Sequence, residues 1–229
     1  MIGRWWPEAY EVAVLADREL EGTLSRGWGL LGRVLVAPVA ALIGGRFVAE
    51  PAHLWVGLAV GVYVWAAALA CEAVERGRLM RELSLGVHAG AMVVARVRAV
   101  IPVAVVGVAG VGAVVQLGGG AGAAVGWLAL TLLATAWSGV GLGVMAALGT
   151  GTTRRALVAV GGVAALMALS PGADWAVGWV PMATAYGALE AFGAPLRDVF
   201  VGAGRLVMLG MHGVVMMILA GWVLARRRW

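Results

Sequence analysis

The sequence has no lysine, one cysteine and few charged residues. Only 13% of the 229 residues are charged, and the 17 basic residues, all arginine, exceed the 12 acidic ones to give a formal charge of +5. Without lysine, neither Schiff-base chemistry nor an ATP-binding phosphate loop is available, although GTGTTR at 149–154 has the glycines and threonines of such a loop. The lone Cys71 excludes an intramolecular disulfide and a metal site of several thiolates.

Motifs of hydrolytic enzymes are missing as well. The sequence contains neither HExxH nor GxSxG, and His53, His88 and His212 lie in different parts of the chain. A metal site would therefore require tertiary folding to assemble it. We expect that the chain is not an enzyme and that it binds no cofactor or metal ion itself.

Apolar residues, by contrast, are abundant. They make up 62% of the chain, and the mean hydropathy is +0.93, whereas soluble domains are about 45–50% apolar and about 25% charged. A bilayer core about 30 Å thick is crossed by a helix of about 20 apolar residues. The composition therefore predicts an all-α integral membrane protein with several spans.

The apolar segments predict six transmembrane helices in a domain covering residues 28–229. The predicted spans are about 28–47, 54–71, 91–115, 125–148, 156–169 and 200–225. Residues 1–27 form a cytoplasmic N-terminal part whose charged and apolar positions predict an amphipathic helix on the membrane surface. Residues 170–199 form an outer segment before the last span. This segment is too polar to span, and we expect short helices there, on the membrane or re-entering it.

The fourth predicted span contains Gly139 and Gly143 in a GxxxG arrangement, which permits close helix approach. The chain has 36 glycines, so chance matches to this motif are expected. The sequence alone therefore gives it little weight.

Arginine placement predicts the orientation. Cytoplasmic segments carry an excess of basic residues, and six spans with both ends in the cytoplasm of a plasma (inner) membrane put 13 of the 17 arginines inside. These are Arg4, Arg18, Arg26, Arg76, Arg78, Arg81, Arg96, Arg98, Arg154, Arg155, Arg226, Arg227 and Arg228. The basic balance thus indicates topology and not nucleic-acid binding.

Two polar positions near the last span allow competing interpretations. His212 lies inside this span, where an ionisable residue is a functional hypothesis, but a neutral histidine hydrogen-bonded to a neighbouring helix is favoured. Arg205 can pair with Asp198 or Glu190 at the outer face, although solvated loop charges are the favoured interpretation.

The most charged part of the chain is the predicted loop 72–90. On a helix, Glu75, Arg78 and Glu82 fall at spacings of three and four, which allows ion pairs along one face beside several leucines. Such a helix can rest on lipid headgroups or dock a soluble partner, and periodicity does not distinguish the two.

Two segments resemble the type-2 ABC exporter permeases, which include the membrane halves of G-subfamily ABC transporters. These are ADRELEGTLSRGW at 16–28 and ERGRLMRELSLGVHAGA at 75–91. The resemblance implies that Arg18 and Glu19 belong to a connecting helix. It also implies a coupling helix that contacts the ATPase, with Glu75, Arg76, Arg81, Glu82 and Gly86 on the family's positions. We expect Arg78 and His88 of the same loop to contact the ATPase as well.

The resemblance further implies a permease subunit of an ATP-driven exporter. Its partners would be a separate ATPase, which holds ATP and Mg, and a second permease copy in a homodimer or heterodimer. The apolar spans suggest a lipophilic substrate. Two alternatives are the haem-exporter permease of cytochrome c maturation, which typically has an acidic E-D-G-type loop, and a non-transporting membrane scaffold.

Overall fold

The structure is a computed structural model, and the part of the chain that it describes is helical. The described residues are 13–18, 21, 32, 34–36, 39, 51–74, 89–117, 122–150, 152–168, 181, 184–185, 187–188 and 199–226. No strand occurs among them. The all-α prediction is therefore confirmed for this part of the chain.

Five helices are described from end to end. They are α1 (Pro51–Ala73), α2 (Ala89–Leu117), α3 (Gly122–Thr150), α4 (Thr153–Ala168) and α5 (Val199–Arg226). Each overlaps one of the last five predicted spans, with ends that differ by about one turn or less. Residues 32, 34–36 and 39, within the first predicted span, are also helical.

Three of these helices are long and apolar enough to cross a membrane. The qualifying segments are Gly90–Val114, Gly126–Thr150 and Phe200–Val223. The apolar stretch of α1, Gly57–Ala73, is shorter, and α4 has only 16 residues. The chain is thus an integral membrane protein, while the count of six spans stays a prediction.

Helix α3 is the centre of the bundle and packs against each of the other four helices. It meets α1 through Gly139 and Gly143. A Cβ at Gly139 would overlap the carbonyl oxygen of Tyr63, and one at Gly143 would overlap that of Ala67. The low weight given to this GxxxG motif was therefore wrong, because the absent side chains let two helix backbones touch.

The opposite face of α3 packs against α5 in a similar way. A Cβ at Gly141 would lie 2.7 Å from the carbonyl oxygen of Gly213. The Nε1–H of Trp137 donates a hydrogen bond of 3.2 Å to the carbonyl oxygen of Gly210. Because residue numbers rise together across both interfaces, α1, α3 and α5 run parallel.

Helices α2 and α4 flank this trio, and each has one buried face. On α4 the buried residues are Ala156, Val160 and Ala164, which repeat every fourth position. Helix α4 packs against α1 and α3. A Cβ at Gly107 of α2 would overlap the indole ring of Trp65, so α2 closely approaches α1.

Two peripheral regions are described in part. Residues 13–18 are helical, and they bury Ala16 and pack Leu15 against the core while Asp17 and Arg18 stay exposed. This agrees with an amphipathic segment, but the full helix over 8–26 stays a prediction. In the predicted outer segment, the residues at 181, 184–185 and 187–188 are helical and buried.

Candidate functional site at the loop end

The charged loop predicted over 72–90 joins α1 to α2 at one end of the bundle, which we call the loop end. Helix α3 finishes at this end because it runs parallel to α1. Helix α4 begins there, since only residues 151 and 152 separate it from α3. The loop end therefore gathers one end of each of the five helices, because α5 runs parallel to α1 and α3 and also finishes there.

The residues predicted to contact a partner mostly lie outside the described part of the chain. Those outside it are Glu19, Glu75, Arg76, Arg78, Arg81, Glu82, Gly86 and His88. Arg18 is described and exposed. Glu72, the first acidic residue of the predicted loop, is also exposed, on the last turn of α1. The site assignment therefore stays a prediction, framed by helix ends that the structure does describe.

Arg96 is the buried charge nearest to this loop among the described residues. Its side chain is 1% exposed, and Met92, Val93, Ala99 and Val100, three or four positions away on α2, are buried as well. It is therefore on the face of α2 that points into the bundle. In the sequence, this arginine served only as evidence for the topology, and nothing there indicated that it is buried.

The helix register places Arg96 close to the loop end. Gly107 lies against Trp65, and Arg96 is eleven residues, about 16 Å, nearer to the start of α2. From Trp65 to the end of α1 at Ala73 is eight residues, about 12 Å. Arg96 thus lies inside the bundle, near the level at which α1 ends.

A buried arginine here is costly unless the protein compensates it, which makes Arg96 a candidate functional position. Arg98, two residues further along α2, is exposed. The two arginines of the sequence RVR therefore differ in environment, one lying inside the bundle and the other on its surface.

The end of α1 is joined to α3 by a polar contact as well as by close packing. The Cys71 thiol, which is buried, donates to the carbonyl oxygen of Gly143 at 3.3 Å. Val74, just beyond the helix, is also buried, and its N–H donates to the carbonyl of Ala70. The helix that leads into the charged loop is thus fixed to the central helix up to its last turn.

His212 lies away from the loop end. It is half-buried on α5, next to Gly213, where a Cβ would overlap the Trp137 ring. Its role, functional or structural, stays open between the two interpretations above. No group of three or more His, Cys, Asp or Glu side chains suited to a metal ion occurs among the described residues.

The environment of Arg205 in the structure differs from the one expected from the sequence, where it was interpreted as a solvated loop charge. Its guanidinium donates to the carbonyl oxygen of Gly187 in the predicted outer segment. A Cβ at Gly187 would contact the same guanidinium at 2.6 Å. The interpretation was therefore wrong, because the half-buried arginine holds a backbone carbonyl of the outer segment against α5.

The sequence of this helix bundle matches the model of a known family of membrane proteins. The ABC-2 type transporter family model matches residues 10–181, which is well over half of the chain. The chain belongs to the ABC-2 type transporter family. The resemblance noted in the sequence is thereby confirmed. No curated protein matches the chain at a significant level.

Membership makes the chain an ABC transporter permease component, the membrane part and not the nucleotide-binding part of such a transporter. The matched range contains α1 to α4 and the charged loop, and it ends at residue 181, before α5. The loop end thus falls wholly within the ABC-2 match apart from the last turn of α5.

Proposed function

We propose that this ABC-2 permease is the membrane subunit of an ATP-driven exporter that works with a separate ATPase subunit and a second permease copy. The observation that carries the proposal is the family match over residues 10–181, which includes the charged loop with its Glu75, Arg81 and Glu82. ATP and Mg would be held by the ATPase, and this chain would bind no cofactor. Its role would be mechanical.

The packing of α1 supports a mechanical role for the loop. A push on residues 75–88 acts on the end of α1, and α1 is joined to α3 through Gly143, whose missing side chain leaves backbone against backbone and whose carbonyl accepts from Cys71. Helix α3 is joined to α5 through Gly141 and Gly213. Loop displacement would therefore move three parallel helices as one unit.

The coupling energy must come from the ATPase. A partner shifts a two-state membrane domain only by as much as it binds one state more tightly than the other. The ATPase dimer would therefore have to favour one position of the loop when it closes on ATP. Arg96, buried beside the loop end, is the residue through which we expect the loop and the bundle interior to communicate.

The proposed topology has six spans and both ends in the cytoplasm of an inner membrane. The parallel directions of α1, α3 and α5 support it, because two parallel helices need an odd number of crossings between them. Helices α2 and α4 would provide those crossings. The loop end then faces the cytoplasm, which agrees with the arginines at 154, 155 and 226–228.

The substrate is proposed to be lipophilic. The described spans are built mainly of valine, alanine, glycine and leucine. The hydroxyls of Thr131 and Thr135 on α3 donate to the carbonyls of Trp127 and Thr131, four residues back, at 2.9 and 2.7 Å. These side chains are therefore satisfied within their own helix and offer little to a polar substrate.

Co-purification tests the proposal. The tagged chain, extracted from its own membrane, is expected to bring with it a chain that has a phosphate-loop motif. Reversing two loop charges, Glu75→Arg with Arg81→Glu, should remove that ATPase because both charges are predicted to face it. The matched control reverses Glu190 and Arg197, which are predicted to lie on the outer side and should leave the ATPase bound.

Two results would end the exporter proposal. One is a chain that co-purifies only with membrane proteins lacking an ATPase motif. The other is an ATPase that stays bound after the loop reversal to the same extent as after the control reversal. In the second case the partner would be held by a different surface.

A further inference from the structure

An open groove lies at the start of α4, on the side of this helix that faces away from the bundle. It has a volume of about 490 Å³ and is lined by Arg154, Arg155, Val158 and Ala159. All four residues are exposed. The described lining residues all belong to α4 and none of them faces the interior of the bundle, and the proposed transport function gives them no role.

Thr152 caps the first turn of α4, from which the two arginines project. The N–H of Arg155 donates to the hydroxyl of Thr152 at 3.4 Å, and the N–H of Ala156 donates to the carbonyl of Thr152 at 3.0 Å. The helix therefore begins at a defined position. Val158 and Ala159 follow the arginines by four residues, so each arginine stands one turn above an apolar residue on the same face.

The apolar face continues along α4 away from the arginines. Val158 and Leu166 are each 71% exposed, and Gly161 and Gly162 lie between them with no atom within 4 Å of a Cβ built on either. The glycine pair leaves a shallow furrow where the backbone itself is accessible. The surface thus has two positive charges at one end and a narrow apolar track leading from them.

The length of α4 sets the depth of the charges. Sixteen residues span about 24 Å, less than the hydrocarbon core of about 30 Å, so long arginine side chains must extend to headgroup level. A soluble anion would satisfy the charges but would leave the furrow uncovered. A lipid with an anionic headgroup complements both parts.

We propose that the groove at Arg154 and Arg155 binds an anionic phospholipid, with its phosphate between the two guanidinium groups and one acyl chain along Val158, Gly161 and Gly162. This lipid site does not depend on the exporter proposal. It also gives a physical meaning to the segment GTGTTR, which fails as an ATP loop but ends in Arg154, the first of the two groove arginines.

Native mass spectrometry of the purified chain in detergent tests the site. Dioleoyl phosphatidylglycerol is titrated beside dioleoyl phosphatidylcholine, which has the same chains and no net charge. Each basic residue near an anionic lipid surface is worth about fivefold in affinity, so Arg154→Gln with Arg155→Gln should weaken phosphatidylglycerol binding about thirtyfold. Either single substitution should weaken it about fivefold, which keeps the test available if the double variant does not purify.

Two further variants separate this groove from general lipid adsorption. Arg98→Gln removes an exposed arginine of α2 outside the groove and should leave binding unchanged. Ala159→Leu keeps both charges and fills the groove, and it should weaken phosphatidylglycerol binding several-fold. Inorganic phosphate at millimolar concentration should fail to displace the lipid, because it cannot occupy the furrow.

Three outcomes would overturn the proposal. The first is equal binding of the two lipids by the unaltered chain, and the second is an equal loss of affinity in the Arg98→Gln control and in the double variant. The third is full displacement by inorganic phosphate, which would mean that the groove recognises a free anion.

Discussion

The close contact between α1 and α3 allows a quantitative prediction of how glycine substitutions there change the stability of the chain. A Cβ added at Gly143 would lie 2.9 Å from the carbonyl carbon and the Cα of Ala67, and nearer still to its carbonyl oxygen. Carbon atoms in good contact are about 3.5–4.0 Å apart, so the helices would have to separate by about 1 Å. Backbone atoms of a packed helix cannot relieve this overlap by changing rotamer, as a flexible side chain can.

The cost of replacing both glycines of the motif follows from this geometry. Overpacking of a well-packed interface costs about 1–3 kcal/mol per site, and alanine returns about 0.5–1 kcal/mol through its better helix propensity. Gly139→Ala with Gly143→Ala should therefore destabilise the chain by about 2.5 kcal/mol, the middle of these ranges summed over the two sites. For a chain of this size, that corresponds to a melting temperature lower by about 5–10 °C.

Thermal unfolding of the purified chain in one detergent, followed by tryptophan fluorescence, measures this difference. The controls are Gly126→Ala and Gly149→Ala on the same helix, where a Cβ meets no atom within 4 Å and stability should be unchanged or slightly higher. If the double variant melts at the temperature of these controls, close backbone contact is not what holds α1 against α3.

Two arginines give further predictions. Arg205→Ala should speed amide exchange at residues 184–188 about tenfold or more, because a charge-assisted hydrogen bond to Gly187 is lost. Unchanged exchange, or an equal effect of Arg197→Ala, would contradict this. Arg96→Leu should lower transport and destabilise the chain by about 2–5 kcal/mol, since the buried guanidinium takes part in an interaction whose other group would be left unpaired. Arg98→Leu should do neither, and equal effects of the two would rule out a special role for Arg96.

The helix bounds could be predicted from the sequence because the bilayer imposes a length. A crossing needs about 20 apolar residues, and charges or glycine-rich turns interrupt the runs. Hence α2, α3 and α5 agree with their predicted spans to about one turn. Helix α4 was correctly expected to be short, and it ends at Ala168.

Which face of each helix is buried could not be predicted. A soluble helix shows its buried face by contrast with polar positions, but α1, α2 and α3 carry mainly apolar residues on every side, and lipid and protein interior accept the same residues. For this reason Arg96 and Arg98 were equivalent in the sequence. Only the packing of α2 separates them.

The structure also bears on which parts of the membrane domain can move. Contacts in which glycine brings backbone against backbone, as at Gly143 with Ala67 and Gly141 with Gly213, contain no side chain that can adopt a second rotamer. A change between two packed arrangements is easier across interfaces made of side chains. We therefore expect α1, α3 and α5 to move together when the loop is displaced. The switch between inward-open and outward-open states would then involve α2 and α4, and Arg96 of α2 lies where the loop and that moving interface meet.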